Sequence, residues 1–139
     1  MRSAQVAVGL GCDRGTPLAT VEAALEQALA SVGLTRANVV SLASIDMKAD
    51  EEAFLQLSAM RGWPLHFYAA TRLAEVAVPN PSETVRRYMG TPSVSEAAAL
   101  LAASSQSLLV EKFKLRGADG RNATVSIAAM SLSTLSSNP

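Results

Sequence analysis

Hydrophobic positions come in short continuous runs separated by stretches with helical spacing, and that alternation sets the expected elements. Gln5 to Leu10 is a mostly apolar run that reads as a buried strand, with a tight turn at Gly9-Leu10-Gly11. Thr16 and Pro17 then supply an N-cap and a first-turn proline, and Leu18, Val21, Leu25, Ala28, Leu29 and Val32 recur at steps of three and four until Gly33. Val39 to Ile45 repeats the strand signal, and Phe54, Leu57 and Met60 the helical one, with Gly62 as the stop. A third strand is expected over Leu65 to Ala69, followed by a short helix from Thr71 to about Val76.

The second half changes character. Pro79-Asn80-Pro81-Ser82-Glu83 opens a helix running to about Met89, and Gly90-Thr91-Pro92-Ser93 opens another. Asn80 with Glu83, and Ser93 with Glu96, have capping-box spacing. Val94, Ala97, Ala98 and Leu101 form a small-residue face suited to lying close to a sheet. A hairpin closes the pattern: Leu108 to Arg116, a turn at Gly117 to Gly120, and Asn122 to about Met130. Strands alternating with helices predict a parallel arrangement covered on both faces. The expectation is a three-layer α/β/α single domain over residues 1–130. Its sheet is mixed, with about five strands, three parallel plus the C-terminal antiparallel hairpin. Residues 131–139 read as a loose tail. Strand order is not readable.

Composition narrows the chemistry. The 139 residues are 49% hydrophobic and 17% charged, with twelve Lys and Arg against twelve Asp and Glu, enough to bury one core and too little net field to favour nucleic acid. One cysteine and one histidine argue against a disulfide and against a structural metal, and nothing signals a bound cofactor. No apolar run approaches the roughly 18 residues of a membrane span, and Met1-Arg2-Ser3 leads straight into the first strand. These features predict a cytoplasmic protein with no membrane partner. Zero net charge permits self-association without demanding it.

Ligands of open parallel sheets sit beyond the carboxyl ends of the strands, so the loops there are the candidate sites. In the first, Gly11, Cys12, Arg14, Gly15 and Thr16 combine backbone access, a cation, a hydroxyl and helix amides suited to an anion, or form a plain glycine-shaped turn. The pattern is neither a dinucleotide fingerprint nor a P-loop. In the second loop, Asp46-Met47-Lys48-Ala49-Asp50-Glu51, carboxylates suit a helix start, whereas Lys48 is out of place there. It is retained for a ligand or for an ion pair with Asp46 or Asp50. Asp46 and Asp50 are the candidate general bases if chemistry occurs. Lys112, Lys114 and Arg116 alternate along one strand opposite Phe113 and Leu115, as a solvated edge or a cationic face. Arg86 and Arg87 are similarly ambiguous, Arg87 being placed to pair with Glu83. Cys12 lacks a nearby base to make it a nucleophile, and His66 reads as a half-buried, hydrogen-bonded residue.

Several runs together resemble the CobE / CbiG C-terminal domain family of cobalamin biosynthesis. They are Gly9 to Thr16, Ser44 to Glu51, Pro79 to Glu83, Gly90 to Leu100, Leu108 to Lys114 and Ala123 to Ala128. Met47 stands where the family often has leucine, and the turn at Gly117 to Arg121 is longer than in shorter members. The long form of the family implies a cobalt-precorrin-5A hydrolase, which opens a ring lactone and releases acetaldehyde, whereas stand-alone versions resemble CobE. The resemblance implies a corrinoid or precorrin ligand, a flat ring carrying acetate and propionate arms. Arg14, Thr16, Lys48 and Lys112, with Gly11, Cys12, Gly15, Asn80, Ser82, Thr91 and Ser93, are then the expected ligand-binding residues. Three roles follow: a carrier of such an intermediate, a hydrolase using Asp46 or Asp50, or a docking module for other enzymes of the pathway.

Overall fold

Parallel pairing of two Val- and Ala-rich runs forms the middle of the molecule: β1 (Val6–Cys12) lies beside β2 (Val39–Ile45), with Val8 opposite Leu42. The computed structural model describes residues 4–78 and 93–130. Between these strands runs α1 (Leu18–Ala30); after them come α2 (Glu52–Arg61), β3 (Leu65–Tyr68), α3 (Ala70–Ala74), α4 (Val94–Ala103), β4 (Leu108–Arg116) and β5 (Asn122–Ala129). The five strands form one mixed sheet in the order β3-β2-β1-β5-β4. The first three are parallel, and β5 runs antiparallel to both β1 and β4. The last strand in sequence is therefore inserted beside the first.

Period-two alternation divides β1 between two layers. Val6, Val8 and Leu10 pack with Val21, Leu25 and Leu29 of α1 and Phe54 and Leu57 of α2. Ala7 faces the other way, against Ala99, Leu100 and Ala103 of α4, and Ala43 and Ile45 of β2 meet Leu73, Val94, Ala97 and Ala98. The three-layer α/β/α architecture expected from the pattern is the one observed. Among the described residues no helix is long and apolar enough to cross a membrane.

Several local expectations are corrected. β1 does not turn at Gly9 but continues to Cys12. A Cβ at Gly9 would lie 1.8 Å from the Ser95 carbonyl oxygen and 2.8 Å from the Ala99 nitrogen, so this glycine admits α4 rather than making a turn. The turn comes later, where Gly15 takes φ 81°. Thr16 does not cap α1, whose N-cap position is held by Pro17; its hydroxyl instead donates to the carbonyl oxygen of Asp13 at 2.7 Å. The Ser93–Glu96 capping box does not form, because the buried Glu96 carboxylate turns to β4 and accepts from the Lys112 backbone N–H at 2.9 Å. Val32 and Met60 are exposed, the first because α1 ends at Ala30 and the second because it sits in the last turn of α2. His66 too is exposed rather than half-buried, since β3 is a four-residue edge strand.

The hairpin register shifts twice, between Leu108 and Val110 and again between Val110 and Phe113. Val110 pairs with Ile127 and Phe113 with Val125, three residues against two, so alternation breaks at Glu111 and Lys112. The expected helix over Pro79 to Met89, its Asn80–Glu83 box, Arg86, Arg87 and the tail at 131–139 lie outside the described residues.

Candidate functional site

Because β1 and β2 are parallel neighbours, the loops after them leave the sheet side by side at its carboxyl end. Arg14, from the first loop, reaches across to the second. Its Nη1 lies 2.9 Å from Asp50 Oδ1 and 3.2 Å from Glu51 Oε1, and its Nη2 donates to the Met47 carbonyl at 3.2 Å. The Gly15 N–H donates to Glu51 Oε2 at 3.0 Å. Lys48 is buried on the other side of the same carboxylate, with Nζ 3.6 Å from Oε1. Glu51 Oε1 has no hydrogen bond and is held by charge alone, between the guanidinium and the ammonium. A buried carboxylate in contact with two cations and an amide is the centre of this cluster.

The first loop is fixed by the far end of the hairpin. Asp13 Oδ2 accepts from the backbone N–H and the side-chain amide of Asn122, at 2.8 and 3.1 Å. Those bonds, led by the backbone one, hold the Asp13 carboxyl below the ordinary range. The Asp13 N–H returns a bond to the Asn122 carbonyl at 3.0 Å, the Thr16 hydroxyl lies 3.2 Å from that same oxygen, and Arg121 Nε donates to the Arg14 carbonyl at 3.1 Å. The backbone carrying Arg14 is therefore tied down by β5, more than a hundred residues away in sequence.

The structure brings together Arg14, Gly15, Lys48 and Asp50, and places Cys12 just behind them. Burial pushes the Cys12 thiol up to about 11, partly opposed by the charge on Lys48 and reinforced by Glu51. It stays protonated at neutral pH and is no nucleophile. Asp50 is exposed, and the Arg14 guanidinium holds its carboxyl below the usual range. Asp46 is exposed at the start of a 3-10 turn over Asp46–Lys48.

Other expected members stand apart. Gly11 is a strand residue opposite Thr124. Thr16 spends its hydroxyl on carbonyls, so it offers nothing to an anion. Lys48 pairs with Glu51, not with Asp46 or Asp50. Lys112 sits partway along β4, two strands from β1, and Lys114 and Arg116 are exposed on the same strand. Ser93 is buried at the start of α4, which covers the opposite face of the sheet, and its hydroxyl has no partner among the described residues. Asn80, Ser82 and Thr91 lie outside the described residues. Sequence reasoning passed over Glu51, although its three-residue spacing from Lys48 was the available signal. It also missed Asp13, Arg121 and Asn122, for which no local signal exists.

The fold and this loop cluster define a small α/β domain with a mixed sheet and a charged cluster at the carboxyl end of its parallel strands. The chain belongs to the family described as Cobalamin synthesis G C-terminus, whose model matches residues 6–128, and its role lies in cobalamin biosynthesis. It is 40% identical over 109 residues to Protein CobE of Sinorhizobium sp, covering 77% of this chain and 71% of that one. It is 35% identical over 123 residues to the Cobalt-precorrin-5A hydrolase of Priestia megaterium, covering 88% of this chain and only 32% of the hydrolase. The chain thus spans about a third of that relative's length. The crystal structure of CobE, a protein from the cobalamin biosynthetic pathway, superposes with a TM-score of 0.78 at 34% identity, covering 92% of each chain. The family resemblance read from the residues is borne out, as is the fold class.

Proposed function

We propose that this chain is a cytoplasmic protein that binds a corrinoid or precorrin intermediate through its peripheral carboxylates and hands it on to another enzyme of the pathway. One observation carries the reading: Arg14 is anchored from behind by the buried Glu51 and the Met47 carbonyl, yet its side chain is 58% exposed, beside an exposed Asp50. A guanidinium fixed on one side and open on the other suits a carboxylate arriving from solvent. The CobE relatives, which match most of this chain and most of their own length, belong to cobalamin biosynthesis, which supports an intermediate of that pathway as the ligand. Mixing the purified chain with hydrogenobyrinic acid and resolving the mixture by gel filtration tests the proposal. Pigment of unchanged mass should travel with the protein and be strongly reduced, though still measurable by titration, with Arg14→Ala. If pigment fails to travel with the folded wild type, the binding reading is wrong and docking onto other pathway enzymes replaces it.

The hydrolase relative favours a second reading, in which Asp46 or Asp50 activates water toward a precorrin. Asp50, held low by Arg14, is ionised but weakly basic, which makes it a poor proton acceptor. With a ring-contracted precorrin in place of hydrogenobyrinic acid, release of the precorrin with altered mass, and unaltered with Asp46→Ala, would make the protein an enzyme.

A further inference from the structure

Arg14 holds two carboxylates with one nitrogen, and the two differ in every property that decides whether they can leave. Glu51 and Lys48 have side chains only 3% and 9% exposed, so withdrawing Glu51 would strand a buried ammonium and the Gly15 N–H together. The Asp50 side chain is 80% exposed, and on leaving Arg14 it passes directly into water. The charges in contact are two cations, Arg14 and Lys48, and two carboxylates, Glu51 and Asp50. A third carboxylate added to this set would face like charge at the same guanidinium, so an incoming carboxylate is accommodated by exchange rather than by addition.

From this we infer that the exposed side of Arg14 is the seat for one carboxylate arm of the ligand, and that Asp50 is the protein's own stand-in for that arm. The inference rests on the corrinoid reading above and adds which arm is read. The Asp50 side chain is one methylene bearing a carboxylate, chemically an acetate arm, and it already makes a 2.9 Å contact with Nη1. A ring acetate reproduces that contact when Asp50 swings out. Asp50 is then a competitor of the ligand and not a contributor to binding, so its removal strengthens binding.

Titrating hydrogenobyrinic acid into wild type, Asp50→Ala, Asp50→Asn, Arg14→Ala and the Arg14→Ala/Asp50→Ala double variant at low salt tests this. Both Asp50 variants should bind about two- to fivefold more tightly than wild type, the factor expected when an exposed ion pair no longer has to be broken. The gain should shrink as salt rises, vanish in the Arg14→Ala background, and be absent for pigment whose carboxyls are esterified. Glu52→Gln removes a nearby exposed charge that is not on Arg14 and should leave affinity unchanged. Equal or weaker binding by the folded Asp50 variants, with wild type binding normally, overturns the stand-in. So does an equal gain from Glu52→Gln, which would mean a general charge effect. If wild type and every variant fail to bind, the corrinoid reading itself falls, and the stand-in with it.

Discussion

Toward α1 and α2 the sheet presents Val6, Val8, Leu10, Leu42, Val125 and Ile127, whereas toward α4 it presents Ala7, Gly9, Ala43, Ser126 and Ala128, with Ile45 the one large side chain among them. The first layer fills its space with branched and aromatic side chains, so it holds helices at the distance those chains dictate. The second has little side-chain volume along β1, where it gains contact by bringing the α4 backbone down onto Gly9. Each strategy has its own weakness. A volume-filled layer loses stability when volume is removed, and a proximity-packed layer loses it when volume is added.

The sharpest way to break this comparison is Gly9→Ala. One methyl group would sit 1.8 Å from the Ser95 carbonyl oxygen, a backbone atom that moves only with its helix. We expect a loss of more than about 4 kcal/mol, seen as disappearance of the cooperative urea transition. A variant that unfolds within about 1 kcal/mol of wild type would show that α4 does not depend on the close approach. Next in size is Phe54→Ala on the opposite face, where a fully buried ring is lost. It should cost about 3–5 kcal/mol while leaving a single, cooperative transition at lower denaturant.

Within the α4 layer, the buried hydroxyls of Ser95 and Ser126 meet at 2.9 Å. Ser95→Ala should cost about 1–3 kcal/mol by orphaning its partner, whereas replacing both with alanine should cost much less than the sum of the singles. Additive losses would mean that the two hydroxyls do not depend on each other. The smallest effect is at Cys12, which packs partly against the α1 and α2 core. Its thiol keeps its proton to about 11 when folded and to 9.0 when unfolded. Stability from this group is thus fully present below pH 9 and lost as pH rises through about 11. Cys12→Ala should flatten that alkaline decline in unfolding midpoint. In the wild type, alkylation at pH 8 should run well below the rate of an unperturbed thiol, and a reaction as fast as that of a free thiol would show the layer to be wet at that end.

The two layers also differ in how much of them could be read in advance. β2 is buried along nearly all its length, so its run from Val39 to Ile45 announced its own limits, and the α1 stripe did the same through Val21, Leu25, Ala28 and Leu29. Gly9 was legible as a glycine but not for its purpose, because the helix that needs it comes some ninety residues later. Alternation along β4 failed at Glu111 and Lys112, where a bulge defined only by the partner strand resets the phase. At the site, Arg14, Lys48 and Asp50 were found from loop chemistry, whereas Glu51 was not, since sequence reports charge and spacing but not which of three neighbouring carboxylates is turned inward. The Asp13–Asn122 clamp depends on strand order, which no local pattern encodes.

The position of β5 between β1 and β4 has a consequence for how the molecule comes into being. On the ribosome, β1 to β3 emerge with one flank of β1 bare, and that flank is closed only when residues 122–129 have been translated. Arg121 and Asn122, which set the Arg14 loop, arrive in that same stretch. Such long-range closure comes late and slowly compared with local structure, and nascent chains lacking it expose strand edge and apolar surface to chaperones. Birth order thus acts as a checkpoint, since an incomplete chain cannot set the loop that carries its guanidinium.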